Sequence, residues 1–318
     1  MTTTLALVVA TALALASPPP SPAPSRVSLQ LNWLPEPEFG GIYEAARGGA
    51  FARHGLDVTI LKGGPDVPAV QMAAAGRVDF AIAAADEVVS LREKGADIVA
   101  LFATYQTSPQ GIMVRASRPV EDIPGLLRAG GTLIAQPGLA YLKHLRKAYG
   151  LERVKIVPYG SGAMAQFLDP GRGDVAMQCF VFAEPIAARR NGVEPRVFLV
   201  ADTGFDPYTA VVITRGGALG RDPGLARRLV AALREGWTAY LADPRPANRV
   251  MAGLNPSMDL ATFTAAAEVQ RPLLESDDTR AHGLGAMRLE RWRILARQLL
   301  DLGVIERPVA AEACFVNL

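Results

Sequence analysis

Between Trp33 and Tyr43 the chain concentrates Trp33, Phe39 and Tyr43 with Glu36 and Glu38, all set among prolines and glycines. Phe, Trp and Tyr make up only 7% of the chain, so this density needs a physical account. Aromatic faces hold flat rings by offset stacking, which contributes roughly 0.5–1.5 kcal/mol beyond burial. A carboxylate beside them accepts from an exocyclic amine or a ring N–H, which separates an aminopyrimidine from a plain arene. Trp33 is read as one stacking face and Phe39 as a weaker second. Tyr43, one helical turn on, is a hydroxyl donor or a packing residue. Glu36 is the preferred acceptor, with Glu38 beside it. Core packing competes for the aromatics, and plain solvation competes for the glutamates.

Other candidates sit where strands end and helices begin. Gly63 and Gly64, in "KGGPD", offer backbone N–H groups to an anion or a carbonyl, although an ordinary tight turn also accounts for them. Asp86 and Glu87 open a helix, where compensation of its dipole competes with ligand contact. Further along stand Gln136, Ser161, Gln178 and Glu184, of which Gln178 and Glu184 are preferred. Phe180 and Tyr208 are candidates for the wall opposite Trp33, and a structural part near a hinge is the competing reading for Tyr208.

Several chemistries are excluded. His54, His144 and His282 are scattered and never share a helical turn with a second histidine and a carboxylate, so no zinc-hydrolase site is expected. "GSGA" is not a G-x-S-x-G elbow, and "GLGAM" lacks the strand–helix setting of a dinucleotide site. No catalytic residue, metal or cofactor is expected.

The elements that must position these residues alternate. "RVSLQLNW" reads as a strand from Arg26 to Trp33, followed by a helix on Ile42, Ala45, Ala46 and Phe51 that stops at Gly55. "LDVTIL", "VDFAIAA" and "DIVALFATY" are further strands with helices between them, the pattern of a sheet covered by helices. A second alternating unit follows, and then a helical return. The fold class expected is α/β, with residues 26–115 as the first part of lobe 1 and 116–209 as lobe 2. Residues 210–318 return to lobe 1 with C-terminal helices. "GIMVR" and "AVVIT" are read as the two crossing strands of a double hinge, which leaves a cleft at the carboxyl ends of the strands.

At 318 residues, half of them apolar and 20% charged, the composition is that of a globular protein with one large or two medium domains. Lys plus Arg exceeds Asp plus Glu by two, 33 against 31, and no block of like charge suggests a nucleic-acid surface. "LALVVATALALA" is too short for a membrane span of about 20 residues. It reads as the core of a signal peptide over 1–16, despite the absence of Lys or Arg in "MTTT", with a Pro-rich tether over 17–25. Export is therefore expected. Cys179 and Cys314 are read as small buried hydrophobes, with a disulfide as the alternative.

Four blocks in order resemble one family. "LNWLPEPEFGGIYEAARGGAFARHGLDVTILKGG", "AAGRVDFAIAAADEVVSLREKG", "AMQCFVFAEPIAARRNG" and "DTGFDPYTAVVIT" are similar to the ABC-transporter periplasmic solute-binding proteins related to thiamine-pyrimidine biosynthesis proteins. The resemblance implies a type II periplasmic-binding-protein fold, a small heterocyclic ligand and a membrane permease as partners, and a monomer. A pyrimidine precursor of thiamine is the cargo of the nearest branch; neighbouring branches take riboflavin, sulfonates or nitrate. The pyrimidine branch carries Pro-Asn-x-x-His-x-Gly after the Trp, whereas "PEPEFGG" places Glu36 and Phe39 at the Asn and His positions. Eukaryotic relatives that synthesise the pyrimidine need a lysine and a histidine where this chain has Ala83 and Glu87. They also need cysteines where it has "FDPYTA", so no enzyme is expected.

Overall fold

In a computed structural model of the chain, residues 23–318 are described; the expected signal peptide and most of the tether lie outside them. The alternating pattern resolves into ten strands: β1 Ser25–Gln30, β2 Leu56–Leu61, β3 Phe80–Ala83, β4 Ile98–Tyr105, β5 Gln110–Arg115, β6 Gly131–Ala135, β7 Val154–Pro158, β8 Val175–Phe180, β9 Pro195–Leu199 and β10 Thr209–Arg215. They form two five-stranded sheets, in the orders β2-β1-β3-β10-β4 and β7-β6-β8-β5-β9. β4, "IVALFATY", is buried at every position, as an unbroken apolar run covered on both faces should be.

The two sheets repeat one topology. In each, the strand in fourth place is antiparallel to its neighbours: β10 against β3 and β4, β5 against β8 and β9. Each is also the first strand laid down after the chain changes lobes. Gln110 opens β5 opposite Phe180, the last residue of β8, and Thr209 opens β10 opposite Tyr105, the last residue of β4. Both crossings therefore run between the carboxyl ends of the two sheets, and those ends face each other across the gap.

This moves one boundary. "GIMVR" pairs wholly within the second sheet, so lobe 2 begins at Gln110 and the first crossing is Gln106–Pro109, not a strand ending at Arg115. The second crossing is Val200–Tyr208 and not "AVVIT", which likewise pairs wholly within one sheet, the first. Both crossings are held by Arg291 of the helix Leu289–Asp301. Its guanidinium donates to the carbonyls of Gln106 and Asp206, pairs with the Asp206 carboxylate at 2.9 Å and lies 4.1 Å over the Tyr208 ring. Asp206 in turn accepts from the Ser108 N–H at 2.7 Å. Just past the second crossing Ala210 sits at φ 53°, held there by the pairing of Thr209 and Val211 with β4.

The long helix Pro223–Ala242 starts on Asp222, whose carboxylate accepts from the Leu225 N–H at 2.8 Å, with Pro223 in the first turn. It buries Leu229, Leu233, Trp237 and Tyr240 against the helix Gly40–Arg47. That contact explains "FGG". A Cβ on Gly41 would stand 2.2 Å from the Trp237 ring, and one on Gly236 would stand 2.3 Å from the Gly41 carbonyl. The glycines let two helix backbones close on each other. Cys179 and Cys314 are both free and buried, in separate apolar clusters, so the small-hydrophobe reading holds.

Candidate ligand-binding site

A cavity of about 210 Å³ lies where the two sheets' carboxyl ends meet. Lobe 1 contributes Asn32, Trp33, Glu36 and Glu38, all from the loop after β1. That strand stops at Gln30 instead of reaching Trp33, and the segment carrying Pro35 and Pro37 has too few N–H donors to extend a ladder. Trp33 is thereby freed from the sheet and stands half-buried on the cavity wall. Gly63 supports this loop from behind. Its N–H donates to the Trp33 carbonyl at 3.1 Å, and a Cβ there would meet the Trp33 nitrogen at 2.4 Å.

Lobe 2 contributes Gln136 after β6, Tyr141 from the helix Ala140–Tyr149, Tyr159 after β7, Gln178 and Phe180 at the end of β8, and Glu184. Glu184 opens the helix Glu184–Arg190 and is held twice: it accepts from the Phe180 N–H at 2.8 Å and from the Tyr159 hydroxyl at 3.1 Å. Gln178 accepts from the Gln136 N–H at 2.5 Å, which ties the ends of β6 and β8 together on the cavity wall. The Tyr141 hydroxyl and the Asn32 side-chain oxygen are buried with no partner among the described residues.

The charges on this surface are all of one sign. Among the described residues lining the cavity there is no lysine, arginine or histidine. Burial, and then the facing Glu184, push the Glu36 carboxyl up to about 8, although the Trp33 and Asn255 side chains hold it down in part. Glu38 is pushed well above its usual range by burial and by both other carboxylates. Burial raises Glu184 as well, against the pull of its hydrogen bonds.

The lobes also touch beside the cavity. Phe182 of lobe 2 stacks on Tyr105 of lobe 1 with ring centres 5.4 Å apart, and Phe180 meets Phe182 edge-on at 5.6 Å. Arg190 reaches Asp259 and the Thr262 hydroxyl across the gap. Lys62, Arg115 and Arg215, the cations nearest strand ends in the sequence, are elsewhere. Lys62 donates to the Leu254 carbonyl, Arg115 to the Asp169 carbonyl, and Arg215 lies against Gly76.

Of the residues singled out from sequence, the cavity gathers Trp33, Glu36, Glu38, Gln136, Gln178, Phe180 and Glu184. The others sit elsewhere, each for a physical reason. Phe39 is fully buried and Tyr43 nearly so, in the core beneath the helix Gly40–Arg47. Tyr208 is buried at the second crossing, its hydroxyl accepting from the Arg288 N–H at 2.8 Å. Gly63 and Gly64 are buried behind the Trp33 loop, and Asp86 lies in the first turn of the helix Ala85–Glu93, off the cavity wall. Tyr141 and Tyr159 were not singled out. The rule that selected Gln136, a position just past a strand's carboxyl end, also selects Tyr159, one residue after β7.

Comparison with known proteins matches this architecture. The periplasmic aliphatic sulphonate binding protein SsuA of Escherichia coli superposes with a TM-score of 0.70 at 13% identity, covering 93% of this chain and 94% of SsuA. The two-lobed α/β fold is thus that of the periplasmic binding proteins. The formylaminopyrimidine-binding protein of Halalkalibacterium halodurans is 25% identical over 92% of this chain and 90% of its own length. The riboflavin-binding protein RibY of Chloroflexus aurantiacus is 24% identical over 92% and 85%. A yeast (Saccharomyces cerevisiae) 4-amino-5-hydroxymethyl-2-methylpyrimidine phosphate synthase, THI11, is 22% identical over 74% and 72%. The model of the family described as NMT1/THI5 like matches residues 36–247, from Glu36 on the cavity wall through all of lobe 2 and into the helical return. With two-thirds of its length so matched, the chain belongs to the NMT1/THI5-like family.

Proposed function

We propose that this chain is the solute-binding component of an ABC-type importer, working outside the cytoplasm and delivering its solute to a membrane permease. The solute is a small planar heterocycle bearing amino donors, with an aminopyrimidine precursor of thiamine as the leading candidate. One observation carries the reading: a cavity between two lobes with Trp33 on one wall, Phe180 on the other, and carboxylates from both lobes between them. Relatives named for formylaminopyrimidine and riboflavin support it.

Size and charge narrow the solute. A cavity of about 210 Å³ is below the roughly 300–1,000 Å³ of drug-sized pockets, which favours one ring over the three rings and side chain of riboflavin. The absence of basic residues from the described lining disfavours nitrate and sulfonates, which need convergent Arg or Lys. Binding would act by population shift, the solute favouring the closed arrangement because only there does it touch both lobes.

A thermal-shift screen of 4-amino-5-hydroxymethyl-2-methylpyrimidine, formylaminopyrimidine, riboflavin, nitrate and taurine tests the reading, since a ligand bound only by the folded state raises its melting temperature. The pyrimidines are expected to give the largest shift, and Trp33→Ala to weaken binding about tenfold or more through loss of stacking and burial. A shift with nitrate or taurine alone, or one that Trp33→Ala leaves intact in a folded variant, would sink the proposal. The synthase named in yeast is the second reading. Ala83 and Glu87 stand where that chemistry calls for lysine and histidine, and there is no lysine among the described residues lining the cavity. Pyridoxal phosphate is expected to leave the protein's absorbance unchanged.

A further inference from the structure

The cleft's carboxylates are divided between the lobes: Glu36 and Glu38 belong to lobe 1, Glu184 to lobe 2. Closing the lobes brings like charges together in a space from which water is largely excluded, where an unpaired carboxylate is costly. Glu38 is only 4% exposed. Glu184 has its two oxygens committed to Phe180 and Tyr159, and neither of those partners carries a charge. The other titratable groups facing this cluster are Tyr105 of β4, Tyr141, Tyr159, Cys179 and Tyr240, each pushed upward by burial. They remain neutral near pH 7 and supply no countercharge.

A second feature points to a guest with polar groups. The Tyr141 hydroxyl, on a residue only 2% exposed, lines the cavity with no partner, as does the Asn32 side-chain oxygen. A buried hydroxyl without a hydrogen bond is destabilising, because its lost hydration is not replaced, so an occupant with matching polar groups is favoured there. Negative charge that converges only on closure requires either protons or a cation.

Resting on the solute-binding reading above, we propose that the cleft takes its planar solute as a cation, paired with a carboxylate of the Glu36–Glu38–Glu184 group, and that this group gives up a proton on binding, to solvent when the solute is already a cation and to the solute's own ring nitrogen when it arrives neutral. The cation also links ligand to motion. It interacts with carboxylates of both lobes only when they are closed, so it replaces a repulsion that opposes closure with an attraction that favours it. An aminopyrimidine or amidine, protonated on a ring or imino nitrogen, has the required shape, charge and donors.

The test uses two probes of one shape, benzamidinium and benzamide, with calorimetry near pH 7.5 in two buffers that differ in ionisation enthalpy. Benzamidinium is expected to bind at least tenfold more tightly than benzamide and to release about half a proton or more per site. Glu36→Gln and Glu184→Gln, each confirmed folded by its melting temperature, should bring the affinity ratio toward one and reduce the proton release. Equal binding of the two probes overturns the charge proposal while leaving the planar-solute reading standing. Benzamidinium binding with no proton released, or with proton uptake, also overturns it. If neither probe nor any pyrimidine binds, both proposals fall.

Discussion

At the scale of single residues, the carboxylates of the cleft make stability depend on pH in an unusual direction. A carboxyl whose folded value is raised binds its proton more tightly in the native state than in the unfolded chain. Stability is therefore greatest below the unfolded value of 4.5 and falls as pH rises toward about 8, the value for Glu36. Each such group lowers stability by up to about 1.4 kcal/mol per pH unit in that window. Glu38, more buried than Glu36, is the cleaner test. Glu38→Gln removes the charge and keeps the shape, so it is expected to stabilise the protein at pH 8 and to change its stability little at pH 4.5. Urea unfolding at the two pH values measures this. A destabilised variant at pH 8 would mean that Glu38 has a countercharge.

At the scale of elements, the segment dense in aromatics and glycine divides its labour along its length. Trp33 and Glu36 reach the cavity, Phe39 and Tyr43 fill the core, and Gly40 and Gly41 allow the helix Gly40–Arg47 to lie against the helix Pro223–Ala242. Gly236, in the middle of that second helix, separates two opposing effects. Alanine is favoured over glycine inside a helix by about 1 kcal/mol. Here its Cβ would meet the Gly41 carbonyl at 2.3 Å and the Ala45 Cβ at 2.6 Å, contacts that a backbone relieves only by moving. Overpacking of this kind costs about 1–3 kcal/mol, so the clash should win. Gly236→Ala is expected to lower the thermal midpoint, and a raised midpoint would show that the two helices can separate freely.

At the scale of the whole molecule, two lobes are joined by two short crossings, and Arg291 contacts both. Its hydrogen bonds to the Gln106 and Asp206 carbonyls and its pairing with the Asp206 carboxylate are partly buried. Charged hydrogen bonds in such settings contribute about 1.5–3 kcal/mol. Arg291→Ala should therefore reduce stability by about 2–3 kcal/mol in denaturant unfolding. The exposed pair of Arg26 with Asp57, 3.7 Å apart with side chains 91% and 60% exposed, gives the contrast. Arg26→Ala should change stability by less than about 0.5 kcal/mol. Equal effects from the two substitutions would remove Arg291 from its role at the crossings.

Strand and helix alternation, and with it the α/β class and two units, was legible in the sequence because side-chain periodicity and glycine stops are local signals. "LDVTIL" is a strand over the very residues read, and Trp33 and Glu184 stand out because each follows or opens an element at a strand's carboxyl end. Local signals do not say which sheet a strand joins. "GIMVR" reads the same in either lobe, and only its pairing with β8 and β9 assigns it to the second. Nor do they distinguish an aromatic that faces a cavity from one that faces a core. Phe39 and Trp33 are equally apolar in sequence, and what separates them is the helix Leu260–Leu274, which packs against the Pro37–Phe39 turn and helps bury Phe39, whereas Trp33 stays half-buried on the cavity wall. The convergence of Glu36, Glu38 and Glu184 is the extreme case: nearly 150 residues divide the first two from the third, and charge repulsion between them exists only once two crossings have folded the lobes face to face.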